Sequence, residues 1–136
     1  MLAEIRTALA ARLDTATIEQ VYLRPPEIPG SDVSAVIGAI TWRATPGERE
    51  VTVFDAAVEV WVARRDDDSS AIAKAEAAVD EIRASLAGAV TLGGQVTHAF
   101  VVAGTGNTWV LVGGSEWLVT SLTVEITVRQ SRGYAP

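Results

Sequence analysis

Residues 51–64 read VTVFDAAVEVWVAR, and apolar and polar positions alternate along them. A period of two is that of a strand, with Val58, Val60 and Val62 on one face and Ala57, Glu59, Trp61 and Ala63 on the other. A short acidic run follows, Asp66, Asp67 and Asp68. Across residues 69–86 the period changes. Ile72, Ala75, Val79, Ile82 and Leu86 recur in steps of three and four, which is one stripe of an amphipathic helix. Asp68, Ser69 or Ser70 is expected as its N-cap, the aspartates meet the positive end of the helix dipole, and Gly88 ends it. A one-faced strand followed by a one-faced helix predicts a sheet with a helix lying on it.

The same reading extends in both directions. Leu2, Ile5, Leu9 and Leu13 predict a helix over 2–14, docked on this chain's own sheet or on a neighbouring subunit. Residues 18–23 are short and β-prone. RPPEIPG, residues 24–30, excludes helix and central strand, leaving an extended connector that is either a surface loop or an arm laid on a neighbour. VSAVIGAITWR, residues 33–43, is a strand apolar on both faces, with Gly38 as a site for a bend. Residues 44–50, tipped by Pro46-Gly47, turn it into the long strand as an antiparallel hairpin. Asp55 within that strand predicts a bulge or an exposed edge.

Beyond a Gly93-Gly94 loop, residues 95–102 form a strand, GTGN at 104–107 a hairpin turn, 108–112 the returning strand, and Gly113-Gly114-Ser115 a second turn. WLVTSLTVEITVR, residues 117–129, closes the pattern. Leu118, Leu122, Val124, Ile126 and Val128 face one way; Val119, Ser121, Thr123, Glu125 and Thr127 face the other. Val58-Glu59-Val60 is echoed by Val124-Glu125-Ile126, so Glu59 and Glu125 share the surface away from the helices. Residues 130–136 are expected to fray. The expected fold is one α+β domain over 1–136. It has a mixed, mainly antiparallel β-sheet with an N-terminal helix and one central amphipathic helix packed on it.

Composition narrows the chemistry. The chain has 136 residues, a formal net charge of −6 and no cysteine. Disulfides, thiol catalysis and cysteine metal sites are excluded. No basic run exists to grip nucleic acid by counterion release. The N-terminal stretch carries charges throughout, unlike a signal peptide, and no apolar run is long enough to span a bilayer, so a soluble protein made in the cytoplasm is expected. Three aspartates in a row lack the alternate ligands, central Gly and terminal Glu of a calcium loop. Glu59 and Glu125 could in principle form an acid–base pair, but nothing supports them with a histidine, a cleft or a Gly-rich loop. His98 is the only histidine and has no second ligand or nucleophile elbow beside it. GTGN does not open a helix after a strand, so it is a turn and not a phosphate loop. No catalytic residue, metal site or cofactor is expected. Trp42, Trp61, Trp109 and Trp117 all lie in or beside strands. Trp61 sits on the face that should be wet, which calls for a cover: a second subunit or the N-terminal helix.

The order of elements resembles the tail-terminator (tail-completion, or neck) proteins of long-tailed phages. The likeness rests on the hairpin over 35–62, the Asp68-Ser69 entry to the single helix, and the closing pattern Val112-Gly113-Gly114, Trp117-Leu118 and residues 124–128. It covers roughly residues 2–129. The resemblance implies a structural virion protein of the tail or neck, made in the bacterial host cytoplasm. It implies a homo-hexameric ring that caps the tail tube, joins tail to head and meets tail-tube and head-connector proteins. DNA would pass through without sequence-specific binding, and there would be no enzyme activity, cofactor or membrane. Glu59, Trp61, Asp66, Asp67, Asp68 and Glu125 are the candidate interface or lumen residues, since an acidic lumen repels phosphates. Two other readings stay open. One is another phage tail or head-closure protein, although the loops here are modest for a tube subunit. The other is a small cytoplasmic oligomeric α+β ligand-binding domain, which needs a pocket lined by Trp61, Trp109 or His98.

Overall fold

A computed structural model describes residues 2–45, 49–65, 67–87, 91–92 and 95–131. The expected Pro46-Gly47 turn, Asp66, the Gly88 stop, the Gly93-Gly94 loop and the tail beyond 131 lie outside them. The elements run α1 (Leu2–Leu13), β1 (Gln20–Tyr22), β2 (Val33–Thr45), β3 (Arg49–Ala63), α2 (Asp68–Ala87), β4 (Thr91–Leu92), β5 (Gln95–Gly104), β6 (Thr108–Val112) and β7 (Ser115–Ser131). Seven strands make one sheet in the order β1-β2-β3-β7-β5-β4, with β6 also paired to β7. Every pairing is antiparallel except β1 with β2. The fold is the α+β arrangement that the hydrophobic pattern predicts.

Both helices lie on the same face of the sheet. Ile5, Leu9 and Leu13 of α1 join Ile82 and Leu86 of α2 and Val58, Val60, Leu118, Val124 and Ile126 of the sheet in one buried cluster. Removing such aliphatic side chains from water contributes about 1.5–3 kcal/mol each. The α2 stripe is rotated from the one expected. Ala71, Ala75, Ala78, Ile82 and Leu86 are buried, whereas Ile72 and Val79 pack only at the margin. Alanines along the contact line let the helix axis approach the sheet closely. The cap also shifts by one residue: Asp67 Oδ1 accepts from the Ser70 backbone N–H at 2.7 Å, so Asp67 is the N-cap and Asp68 already lies in the helix.

Two irregularities fall where the pattern did not place them. Asp55 sits in unbroken register between Thr41 and Glu125, with no bulge. The β2–β3 register instead slips between Ile37 and Ile40, where Gly38 and Ala39 oppose Ala57 alone. Gly38 is therefore the bend. Arg6 of α1 holds this bulge: its Nη1 donates to Gly38 O at 2.9 Å, Ile37 O at 3.3 Å and Leu23 O at 2.8 Å. The second correction concerns GTGN. β5 and β6 both pair antiparallel with the same edge of β7, β5 over Leu122–Val128 and β6 over Ser115–Val119. They run in one direction, so 105–107 is a break in a single edge rather than a hairpin turn, and Thr105 N–H still reaches Ser121 O at 2.8 Å. The true hairpin is at Gly113 (φ 59°) and Gly114 (φ 79°) between Val112 and Ser115. Positive φ at both positions is the type I′ turn that matches strand twist.

Candidate interaction surfaces

The sheet face away from the helices carries the sequence-selected carboxylates. Glu59 and Glu125 share that face but do not meet. Glu59 stands opposite Ser121 and Glu125 opposite Asp55, a four-residue offset worth about 13 Å along the strands. Glu125's real neighbour is Asp55. Two like charges directly opposite one another are unfavourable, and Arg43 bridges them, 2.7 Å from Asp55 and 3.8 Å from Glu125. Glu59 accepts a hydrogen bond from Trp61 Nε1 at 3.3 Å. At that separation Glu59 and Glu125 do not face one another as a pair.

Trp61 is covered by this chain itself. The N-terminal helix, one of the two expected covers, lies on the other face. Trp117 packs edge-on against Trp61 with ring centroids 6.0 Å apart, within a small cluster of Ala63, Trp117 and Val119 flanked by Val110 and Val112. The proline connector folds back over the same place. Pro25, Pro26 and Pro29 surround a recess of about 30 Å³ with Val36, Glu59 and Trp61. Such a recess holds about one water, far below the several hundred Å³ of a ligand pocket. Ile28 reaches the β6–β7 hairpin: a Cβ on Gly113 would lie 2.8 Å from Ile28 Cδ1. Tyr22 ties the end of the connector, its hydroxyl accepting from Gly30 N–H at 2.6 Å and donating to Gln20 Oε1 at 2.9 Å.

The described aspartates of the acidic run have local partners. Asp67 caps α2, and Asp68 pairs with Arg64 at 2.9 Å. Arg64 also binds Glu116 at 2.8 Å and lies 5.8 Å above the Trp109 ring. The Glu116 hydrogen bond, then the charge of Asp68, raises the Arg64 pKa. Next to it, Arg65 forks onto Asp32 through Nε at 2.9 Å and Nη2 at 2.7 Å, which raises its pKa likewise. These arginines, with Gly114, Ser115, Glu116 and Trp117, line an open cleft of about 310 Å³ at that end of the sheet. Among the described residues no three His, Cys, Asp or Glu side chains gather as a metal site, and no helix is long and apolar enough to cross a membrane.

Several organising residues had no sequence signal of their own. Arg6 acts through Leu23, Ile37 and Gly38, and Arg64 through Glu116 as well as the nearby Asp68; hydrophobic periodicity is blind to such long-range contacts. Glu81 is a third. Its carboxylate accepts from Thr17 N–H at 2.8 Å and from the Thr17 hydroxyl, fastening the α1–β1 connector to α2. Those bonds hold its carboxyl below the ordinary range.

The features so far define a two-layer α+β fold with both helices on one sheet face. A solved structure described as the virion of native gene transfer agent (GTA) particle contains a chain of similar fold. The match covers 94% of this chain and 90% of that one, with a TM-score of 0.58 and 18% sequence identity. At that identity the likeness establishes shared fold. No protein-family model and no curated protein matches the sequence.

Proposed function

We propose that this chain is a structural subunit of a phage-like virion, and specifically the tail terminator that caps the tail tube and joins it to the head. One observation carries the proposal: a chain from a gene transfer agent virion shares the fold over 94% of the present chain. The element order that resembles tail terminators runs over nearly the same residues. The arrangement of the site is consistent with an assembly role. Its charged side chains are engaged in local pairs, and the recess at Trp61 is too small for a ligand. The proposal assigns the subunit a homo-hexameric ring, contacts with tail-tube and head-connector proteins, and no catalysis or cofactor.

The ligand-binding alternative needs a pocket lined by Trp61, Trp109 or His98, and at Trp61 the recess holds only about 30 Å³. The proposed role is tested in an assembling particle. Particles lacking the subunit should carry tails of uncontrolled length that do not join heads, and labelled subunit should decorate only the head-proximal tail end. Normal joined tails in its absence would refute the role. In the ring, Glu59, Glu125 and Asp55 are assigned to the surface facing DNA. Reversing Glu59 and Glu125 to Lys should slow genome passage while rings still form; unchanged passage would remove the lumen assignment.

A further inference from the structure

The sheet ends on two open edges, and their chemistry is unlike the rest of the surface. On one side β6 bonds only to β7 among the described residues, and β4 covers β5 only at Gln95 and Val96. From His98 to Val112 no described strand pairs with the outer edge. Phe100, Val102, Trp109 and Leu111 along it are exposed, Leu111 by 70%. Hairpin geometry also fixes the backbone. Val112 and Ser115 flank a two-residue turn, so Val112, Val110 and Thr108 spend their N–H and C=O groups on β7. Trp109 and Leu111 point theirs outward. The same two residues thus present free ladder groups and bare apolar side chains.

Native edges of this kind are normally blunted with Lys, Pro or inward charges. Here residues 84–115 contain no Asp, Glu, Lys or Arg, in a chain of net charge −6. An uncharged edge on an acidic protein is the surface that a second acidic copy can approach without repulsion. The opposite edge supplies a match. β1 covers β2 only at Ser34, Ala35 and Val36, so among the described residues the second half of β2 has no outer partner strand, and Trp42 there is 60% exposed. β2 runs antiparallel to β3, β3 to β7, and β7 to β5 and β6. A copy placed beside another in the same orientation would therefore bring the open half of β2 against β5, and β1, which covers the rest of β2, against β6, both as antiparallel pairs.

We infer that copies of this chain join head to tail through their sheets, the β1–β2 edge of one pairing with the β5–β6 edge of the next. This rests on the assembly reading above and names the surface that carries it. Two different edges meeting is a heterologous contact, the type that generates rings when the rotation closes.

The test uses Lys blocks at exposed positions, each checked for an unchanged melting curve. One variant is Phe100→Lys with Leu111→Lys; the other is Trp42→Lys. Native mass spectrometry of the unmodified chain should show oligomers that grow with concentration. Either variant alone should weaken association at least about tenfold, because a buried unpaired ammonium is costly. Mixed in equal amounts, the two variants should form dimers and stop there, since each keeps one working edge. If the Phe100/Leu111 variant dissociates but Trp42→Lys assembles normally, the contact is edge to like edge and the inference is wrong. Oligomers indifferent to both blocks would also overturn it while leaving the virion role standing. A monomer at the highest soluble concentration would overturn self-pairing and turn the edge over to a foreign strand. Oligomers that obey the blocks but never decorate tails would instead refute the proposed function alone.

Discussion

The two faces of the same sheet are closed by different means. On the helix side, alternate residues from Phe54 to Val62 of β3, and Leu118, Leu122, Val124, Ile126 and Val128 of β7, enter one apolar cluster sealed by α1 and α2. On the other side, only the end near Trp61 and Trp117 is covered, by a proline connector and a hairpin. The rest carries exposed charge such as the Arg43–Asp55 pair. The first face is a core made from regular elements. The second is a surface with a local patch laid on it. Stability should therefore be concentrated on the helix side, and the outer face should be free to vary with what it meets.

The largest expected effect follows from that contrast. Ile82 is fully buried between α2 and the sheet. Ile82→Ala should destabilise by about 3 kcal/mol, read as a lower urea midpoint with an unchanged slope. A loss below about 1 kcal/mol would mean that the helix layer is not the main core.

A second, smaller effect probes the patch. Gly113→Ala places a Cβ at positive φ and within 2.8 Å of Ile28, whereas Gly114→Ala meets nothing within 4 Å. Both should lose about 1 kcal/mol to the left-handed backbone, and Gly113→Ala about 1 kcal/mol more for the contact. Adding Ile28→Ala should recover part of the Gly113→Ala loss and none of the Gly114→Ala loss. Equal behaviour of the two glycine variants would show that the connector does not rest on the hairpin.

The contrast also explains what could be read from sequence. β7 and β3 alternate cleanly because one face meets a continuous apolar layer, so Leu118, Val124, Ile126 and the valines of β3 were legible. The outer patch was not. Its cover is irregular chain, and proline spacing says that 24–30 is extended without saying what lies beneath. GTGN has the composition of a hairpin turn, but β7 is long enough to pair β5 and β6 in succession, and that longer ladder overrode the local signal. Asp55 looked like a bulge because its partner, Arg43, lies on another strand. Of the sequence-selected surface residues, Glu59, Trp61 and Glu125 share the outer face as expected, but the offset between the two glutamates depends on β3–β7 register, which composition cannot fix.

A pH experiment sharpens the comparison from the helix side. Thr17 bonds favour the ionised form of Glu81, so its folded-state pKa is below the ordinary value of 4.5. Ionised Glu81 thus contributes stability above pH 4.5 that is lost as pH falls through the lower, folded value. Glu81→Gln should flatten that part of the acid limb and cost about 1 kcal/mol at neutral pH, near the low end because the group faces solvent. An acid limb with unchanged slope in Glu81→Gln would show that the α1–β1 connector is not held through this carboxylate.

The smallest effect belongs to the outer face, and its smallness is the informative part. Arg43 bridges Asp55 and Glu125, yet its side chain is 62% exposed. Water screens the attraction, and holding a long side chain still opposes it, so Arg43→Gln should shift stability by no more than about 0.5 kcal/mol. It also removes the positive charge between two carboxylates that stand directly opposite. Their repulsion should then emerge at low ionic strength and fade as the screening length falls to about 8 Å near physiological salt. Thermal melts of both proteins across a salt series measure this. A loss above about 2 kcal/mol that ignores salt would place the Arg43 cluster in a buried, structural role and end the distinction between a sealed face and a variable one. A small, salt-sensitive loss would leave Asp55 and Glu125 as charges that the fold does not need, so that this face can change without loss of the core.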